Sequence, residues 1–125
     1  MHEFSIAMSI VELAEEEAKK AAASMISQLV LEIGTMAGIE FYALDTALEA
    51  AVRGTLLENA EIIVDKVPAK ARCADCNHVF EIQQVYDACP KCNSLFHEII
   101  KGKELKIRSL VVETFEEDRK TAGNR

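Results

Sequence analysis

The chain has 125 residues, of which half are hydrophobic, 28% are charged and two are proline. This composition is that of one ordinary folded domain, or of a small domain carrying an insert, and it excludes a large multi-domain enzyme. The 14 Lys and Arg residues against 21 Asp and Glu residues give a formal net charge of −7. Because phosphate backbones and anionic lipids repel such a charge, we expect no nucleic-acid partner and no membrane partner.

The N-terminal segment lacks the basic stretch and the small-residue cleavage site of a secretion signal. No run approaches the ~18 consecutive apolar residues that span a bilayer. The sequence therefore predicts a cytoplasmic protein. In that reducing compartment, four cysteines indicate metal or redox chemistry rather than disulfides.

The first half of the chain predicts a helix, a strand and a second helix. Residues 3–22 place these apolar side chains on one helical face: Ile6, Ile10, Leu13, Ala14, Ala18 and Ala21. The run 26–33, rich in Leu, Ile and Val, predicts a buried strand that ends at Gly34. A second amphipathic helix is predicted over 39–53, with Gly54 as its stop.

Two further strands are predicted on either side of a cysteine-containing insert. Residues 60–67 resemble a strand that ends at Pro68, and residues 104–112 alternate as a final strand. The segment 70–102 between them contains every cysteine of the chain. The segment contains too few large apolar residues to fold about 30 residues without a cross-link, and a bound metal would supply that cross-link.

The cysteines form two C-x2-C units separated by 12 residues, at Cys73, Cys76, Cys89 and Cys92. Two such turns brought together present four thiolates tetrahedrally at Zn–S distances of ~2.3 Å, a closed arrangement typical of structural zinc. A switchable site, in which His78 or His97 exchanges with a thiolate, is the alternative. A thioredoxin-like dithiol is disfavoured because that motif begins a helix after a strand, whereas the insert lacks a helical pattern.

The N-terminus offers a second set of ligand atoms. The amine of Met1, the following backbone amide and the His2 imidazole can form fused chelate rings on one ion. Planar nitrogen donors favour Ni(II) or Cu(II) over Zn(II). Glu3 can add its backbone nitrogen or its carboxylate, and that carboxylate also complements the dipole of the first helix. A histidine beside an N-terminus is often incidental, so the residues alone leave this site open.

The opening MHEFSIAMSIVE, the order of helices and strands, and the paired C-x2-C units before the last strand resemble the HypA/HybF family of nickel-insertion accessory proteins in NiFe-hydrogenase maturation. The resemblance extends over nearly the whole chain. It implies that Met1, His2 and Glu3 hold Ni(II), with His2 indispensable, and that the four cysteines hold structural Zn(II). It also implies that Glu40, at the head of the second helix, orients or receives the metal.

The fold class implied by the resemblance is α+β, with two helices on one face of a three-stranded mixed sheet and an inserted zinc ribbon-like domain. The nickel-binding domain is expected to comprise residues 1–69 and 103–113, and the zinc-binding domain residues 70–102. Residues 114–125 are expected to form a flexible tail. The order and directions of the strands do not follow from the periodicity of the sequence.

The resemblance implies a nickel metallochaperone that docks on the maturation GTPase HypB and helps insert Ni(II) into the hydrogenase large subunit. The alternative is a zinc-ribbon interaction module of transcription or RNA processing. Residues 70–92 hold three basic and three acidic side chains, however, which leaves no net positive surface for phosphates. No enzyme activity is predicted, since we find no nucleophile with a placed base and no glycine-rich phosphate loop.

Overall fold

The computed structural model describes residues 2–115, so Met1 and residues 116–125 of the expected tail lie outside the described part. Both predicted helices and the three strands outside the insert are confirmed, with boundaries shifted by at most a few residues. The elements in chain order are α1 (Glu3–Lys20), β1 (Met25–Gly34), α2 (Phe41–Ala51), β2 (Glu61–Val67), β3 (Lys70–Cys73), β4 (Val79–Glu81), β5 (His97–Lys101) and β6 (Leu105–Glu113).

One sheet contains β2, β1 and β6, with β1 in the middle. At the end of β1, the N–H of Gly34 donates to the carbonyl of Glu104, just before β6 begins, so these two strands run antiparallel. The next residue, Thr35, donates to the carbonyl of Val67 at the end of β2, so β1 and β2 run in the same direction. The sheet is therefore mixed, as predicted.

The buried face of α1 differs from the predicted one. The helix buries Ala7, Ile10, Val11, Ala14 and Ala18. The prediction is wrong at Leu13, which is 54% exposed, and at Ala21, which lies past the helix end and is also exposed. Spacings of three and four residues from Ala7 define the buried stripe, and Leu13 lies roughly a third of a turn away from it.

The central strand supplies most of the large buried side chains of the first sheet. Ile26, Leu29, Leu31 and Ile33 of β1 are all fully buried. This run of β-branched and leucine side chains, uninterrupted by charge except at Glu32, is what a strand buried on both sides requires. The sequence pattern therefore predicted this buried strand correctly, and its central place in the sheet comes from the structure.

The insert contains a second three-stranded sheet in the order β4-β3-β5, and β3 pairs antiparallel with both neighbours. These three short strands are absent from the sequence-based prediction. Their core is small, as expected, and two of its members are cysteines. The buried cluster consists of Ala69, Ala71, Cys73, Phe80, Ile82 and Cys89.

The described residues form two compact units. One comprises 2–30, 40–63 and 107–115, and the other comprises 31–39 and 64–106. Within residues 2–115, no helix combines the length and the apolar character needed to cross a membrane.

Candidate metal centres

The first C-x2-C unit forms a tight turn directly after β3. The N–H of Cys73 donates to the carbonyl of His78 at 2.9 Å, and the N–H of Asn77 donates to the carbonyl of Cys73 at 3.0 Å. The Cys73 Sγ accepts the N–H of Asp75 at 3.4 Å. Asn77 has φ 63°, a left-handed conformation that asparagine tolerates better than most residues.

The second C-x2-C unit repeats this geometry bond for bond. Cys89 donates to the carbonyl of Ser94 at 2.9 Å and accepts from the N–H of Asn93 at 2.8 Å. Its Sγ accepts the N–H of Lys91 at 3.4 Å, and Asn93 has φ 64°. The asparagine that follows each motif is a sequence signal for these turns that the motif spacing alone does not reveal.

The two turns bring the four cysteine sulfurs together. All four Sγ atoms lie within 4.8 Å of one another. The distance from Cys73 to Cys92 is 3.5 Å and that from Cys76 to Cys89 is 3.7 Å. A tetrahedral site with Zn–S bonds of ~2.3 Å has sulfur–sulfur edges of about 3.8 Å. The cysteines therefore fit a four-thiolate zinc ion with little rearrangement.

The crowded sulfurs have unequal affinities for protons. Burial raises the pKa of Cys73, but the N–H groups of Cys76 and Asp75 and the contact with Cys92 outweigh it and lower the pKa to about 7. The N–H of Ser94 lowers the pKa of Cys92, but the sulfur of Cys73 and removal from water raise it to about 12. One thiolate in the cluster thus disfavours the next, and a divalent cation would relieve that repulsion.

Two acidic side chains stabilise the turns, and the sequence around neither of them predicts this role. The carboxylate of Asp75 accepts the hydroxyl of Ser94, which links the first turn to the second. The carboxylate of Asp87 accepts the N–H groups of Gln83 at 2.9 Å and Gln84 at 3.1 Å. These bonds lower the pKa of Asp87 and fix the loop that leads to Cys89.

The histidines of the insert lie against Phe80. The His78 ring stacks on Phe80 with centroids 6.2 Å apart, and the His97 ring meets Phe80 edge-on at the same separation. Among the described residues, the group of candidate metal ligands consists of the four cysteines. The expected four-residue cluster is thus brought together, with neither histidine in it.

In the predicted N-terminal ligand set, His2 occupies the N-cap position of α1. Its side chain is exposed and makes no capping hydrogen bond. The carbonyl of His2 accepts the N–H of Ile6 at 3.1 Å, which is the first bond of the helix. The predicted partner Met1 lies outside the described residues. The His2 side chain is therefore exposed at the start of α1.

Glu3 and Glu40 join the heads of the two helices. The Glu3 carboxylate accepts the backbone N–H of Glu40 at 3.1 Å, and this bond lowers the pKa of Glu3. The Glu40 carboxylate in turn caps α2 by accepting from Ala43 at 2.8 Å and from Tyr42 at 3.4 Å. The residues expected near the nickel site from the resemblance are therefore neighbours, although 37 positions separate them.

The chain is similar to known proteins over most of its length. Residues 1–112 match the family model described as hydrogenase/urease nickel incorporation, metallochaperone, hypA. A hydrogenase maturation factor HypA from Parabacteroides distasonis is 44% identical over 112 residues, which cover 90% of this chain and 97% of that protein. One from Azotobacter vinelandii is 42% identical over 113 residues, covering 90% and 100% respectively.

A solved structure also matches this chain. The solution structure of the Ni metallochaperone HypA from Helicobacter pylori matches with a TM-score of 0.65 and 31% identity, covering 91% of this chain and 99% of that one. Residues 1–112, which match the family model, include the N-terminal residues and all four cysteines.

Proposed function

Because the chain belongs to the HypA family of nickel metallochaperones for hydrogenase maturation, we propose that it binds Ni(II) through Met1, His2 and Glu3 and helps insert the ion into the NiFe-hydrogenase large subunit. The observation that carries this proposal is the placement of an exposed His2 imidazole at the start of α1, next to a Glu3 whose carboxylate is anchored to Glu40. Family membership over residues 1–112 leaves the alternative of a zinc-ribbon module in transcription or RNA processing without support.

The proposed nickel ligands are nitrogens at the chain terminus. The Met1 amine, the amide nitrogen of His2 and the His2 imidazole form fused chelate rings, a planar arrangement that favours Ni(II) over Zn(II). The backbone nitrogen of Glu3 is a further donor. Since the first four N–H groups of an α-helix have no intrahelical acceptor, the start of α1 can supply this nitrogen without breaking a helical bond.

The Glu3 side chain has a different proposed task. Its carboxylate already accepts the Glu40 N–H, so we assign it to holding the chain terminus beside the head of α2 rather than to the metal. The Glu40 carboxylate caps α2 and lies in the same region. A change at either residue would move the terminus and thereby alter nickel binding indirectly.

The four cysteines are proposed to hold the resident Zn(II). Cys73, Cys76, Cys89 and Cys92 fit a closed tetrahedral site, which leaves no open position for a reacting ligand. When bound, the ion supplies a cross-link between the two C-x2-C turns. Because the surrounding buried core has only two large apolar side chains, Phe80 and Ile82, zinc binding becomes folding free energy for this part of the chain.

Delivery requires that nickel can leave. Ligands at a chain terminus can be detached one at a time, and protonation of an amine with a reference pKa of about 7.7–8.0 and an imidazole of about 6.5 weakens binding on acidification. We propose that the cytoplasmic GTPase HypB docks near this terminus and that the ion then passes to the large subunit. No catalytic step by this chain is needed for such a transfer.

A chain extended at its N-terminus tests the ligand set. Placing Gly-Ser ahead of Met1 moves the free amine away from His2 without changing any native residue. A single added residue would instead create a new planar set of nitrogens that ends at the same imidazole, so two are used. The matched control carries Gly-Ser after Arg125.

Nickel affinity of the two extended chains and of the native chain is then measured by competition with a metal-binding dye. We expect at least a tenfold weaker affinity for the N-terminal extension and no change for the control. Equal affinities in all three proteins would contradict the assignment of the Met1 amine as a ligand.

A further inference from the structure

His97 carries a buried ring nitrogen with no hydrogen-bond partner. The residue begins β5 and is half-buried. Among the buried side-chain nitrogen and oxygen atoms of residues 2–115, the Nδ1 of His97 is the one without a hydrogen-bond partner. Buried polar atoms in folded proteins are nearly always hydrogen-bonded, because an unpaired one retains the full cost of its removal from water. The burial of this atom therefore calls for a hydrogen-bond partner on the same face of the sheet.

The strand register places the His97 side chain beside a proposed zinc ligand. Cys73 lies directly opposite His97 where β3 pairs with β5. The following residue, Ala74, donates its N–H to the carbonyl of Phe96 at 2.9 Å. Since bonded and non-bonded pairs alternate along antiparallel strands, Cys73 and His97 form a non-hydrogen-bonded pair, in which the side chains approach most closely.

The approach is close enough for a contact between nitrogen and sulfur. Directly opposite residues point to the same face of the sheet, with Cβ atoms about 4.5–5.5 Å apart. The Sγ of Cys73 is one bond from its Cβ and the Nδ1 of His97 is two bonds from its Cβ. The Phe80 ring, edge-on to the imidazole, flanks the His97 ring on this buried face. This pairing geometry therefore allows a hydrogen bond between Nδ1 and the sulfur.

We propose that His97 is a positioning residue of the zinc cluster, a neutral imidazole protonated on Nδ1 that donates this hydrogen to the Cys73 thiolate when zinc is bound. Four thiolates around one Zn(II) carry a net charge of −2, so each N–H donor near the sulfurs stabilises the complex. Both turns supply such a donor from the backbone, at Asp75 and at Lys91. His97 would add a further N–H donor, directed at the Cys73 sulfur of the first turn.

This inference rests on the proposal that the four cysteines hold zinc, and three substitutions test it in the full chain. His97→Leu removes the donor. His97→Asn retains an amide nitrogen two bonds from Cβ, the same position as Nδ1, whereas His97→Gln moves the amide one bond further and is the matched control. Zinc affinity is measured by competition with a chromophoric chelator, and zinc content by elemental analysis.

Loss of a group that hydrogen-bonds a metal ligand typically weakens metal affinity 10–100-fold. We expect that loss for His97→Leu and His97→Gln, and less than a threefold loss for His97→Asn. Affinities within threefold of the native value for all three variants would overturn the inference. If wild-type protein contains no zinc, the proposed zinc site itself is wrong, which separates the two failures.

Nitrogen-15 NMR of the His97 ring in the unmodified protein gives a second readout that does not depend on how the variants fold. In the zinc-loaded state we expect Nδ1 to carry the proton and Nε2 to be unprotonated. A proton on Nε2 with Nδ1 bare, or a signal showing Nδ1 bound directly to metal, would overturn the inference. A role in packing alone would fix neither the tautomer nor the difference between Asn and Gln.

Discussion

Serine substitutions of Cys73 and Cys92 distinguish a metal ligand from a packed thiol. Cys73 is fully buried in the small core of the insert, whereas Cys92 is exposed. If the cysteines served only to fill space, Cys73→Ser would destabilise this part of the chain and Cys92→Ser would have little effect. If both thiolates hold zinc, the two substitutions reduce zinc affinity by similar factors.

The expected size follows from the number of ligands. Structural zinc sites bind with apparent free energies of about 10–16 kcal/mol at neutral pH, so one of four equal ligands contributes about 2.5–4 kcal/mol. The structure supplies four sulfurs at mutual distances within 4.8 Å, with no further ligand among the candidate groups of residues 2–115. Each substitution should therefore weaken zinc binding roughly 100-fold to 1000-fold.

Competition with a chromophoric chelator measures these affinities, and hydrogen exchange reports the local structure. The amides of Asn77 and Asn93, which close the two turns, should lose protection in both variants. The amides in the middle of α1 should keep theirs. A Cys92→Ser protein that binds zinc as tightly as wild type would refute the assignment of the exposed thiol as a ligand.

Three further outcomes are expected. Nickel should be lost as the pH falls through about 8 to 6, where the N-terminal amine and the imidazole take up protons, while zinc remains; retention of both metals after dialysis at about pH 5 contradicts this. The hydrogen bond from the Glu40 N–H lowers the pKa of Glu3, so the stabilisation that the Glu3 carboxylate provides is present above its ordinary pKa of 4.5 and is lost as the pH falls below that value. The melting temperature of wild type should therefore exceed that of Glu3→Gln at about pH 7, and the two should converge by about pH 3. Asn93→Ala should cost about 1 kcal/mol in denaturant unfolding of the zinc-loaded protein and Asn93→Gly should not, since φ is 64°; equal losses would show that the left-handed turn is unimportant.

The elements that were predicted correctly have strong local patterns. β1 is a segment rich in Leu, Ile and Val that ends at a glycine, and both helices carry periodic apolar faces. The prediction failed at Leu13 because Ile6, Ile10 and Leu13 also satisfy a helical spacing, and tertiary packing, which includes contacts with α2, decides which stripe is buried. Periodicity identifies a helix more readily than it identifies the exact rotation of that helix.

Much of the support around the sites depends on contacts between distant residues. β4 has three residues, too few for an alternating pattern, and its pairing with β3 crosses the first cysteine turn. The bond from Asp75 to Ser94 joins positions 19 apart, and that from Glu40 to Glu3 joins positions 37 apart. The cysteine spacing predicted the four-cysteine cluster because ligand chemistry restricts that spacing strongly. The N-terminal donor atoms suggested a second site, but its assignment to nickel rests on the family resemblance.

Native mass spectrometry of the untagged chain and of its His2→Ala variant, after addition of Ni(II) and removal of weakly bound ions, tests the central claim most directly. His2 is exposed and makes no capping hydrogen bond, so its replacement should leave the fold intact. We expect one zinc and one nickel ion on the wild-type chain and zinc alone on the variant. Equal nickel binding by the two proteins, or by neither, would contradict a nickel site at the N-terminus.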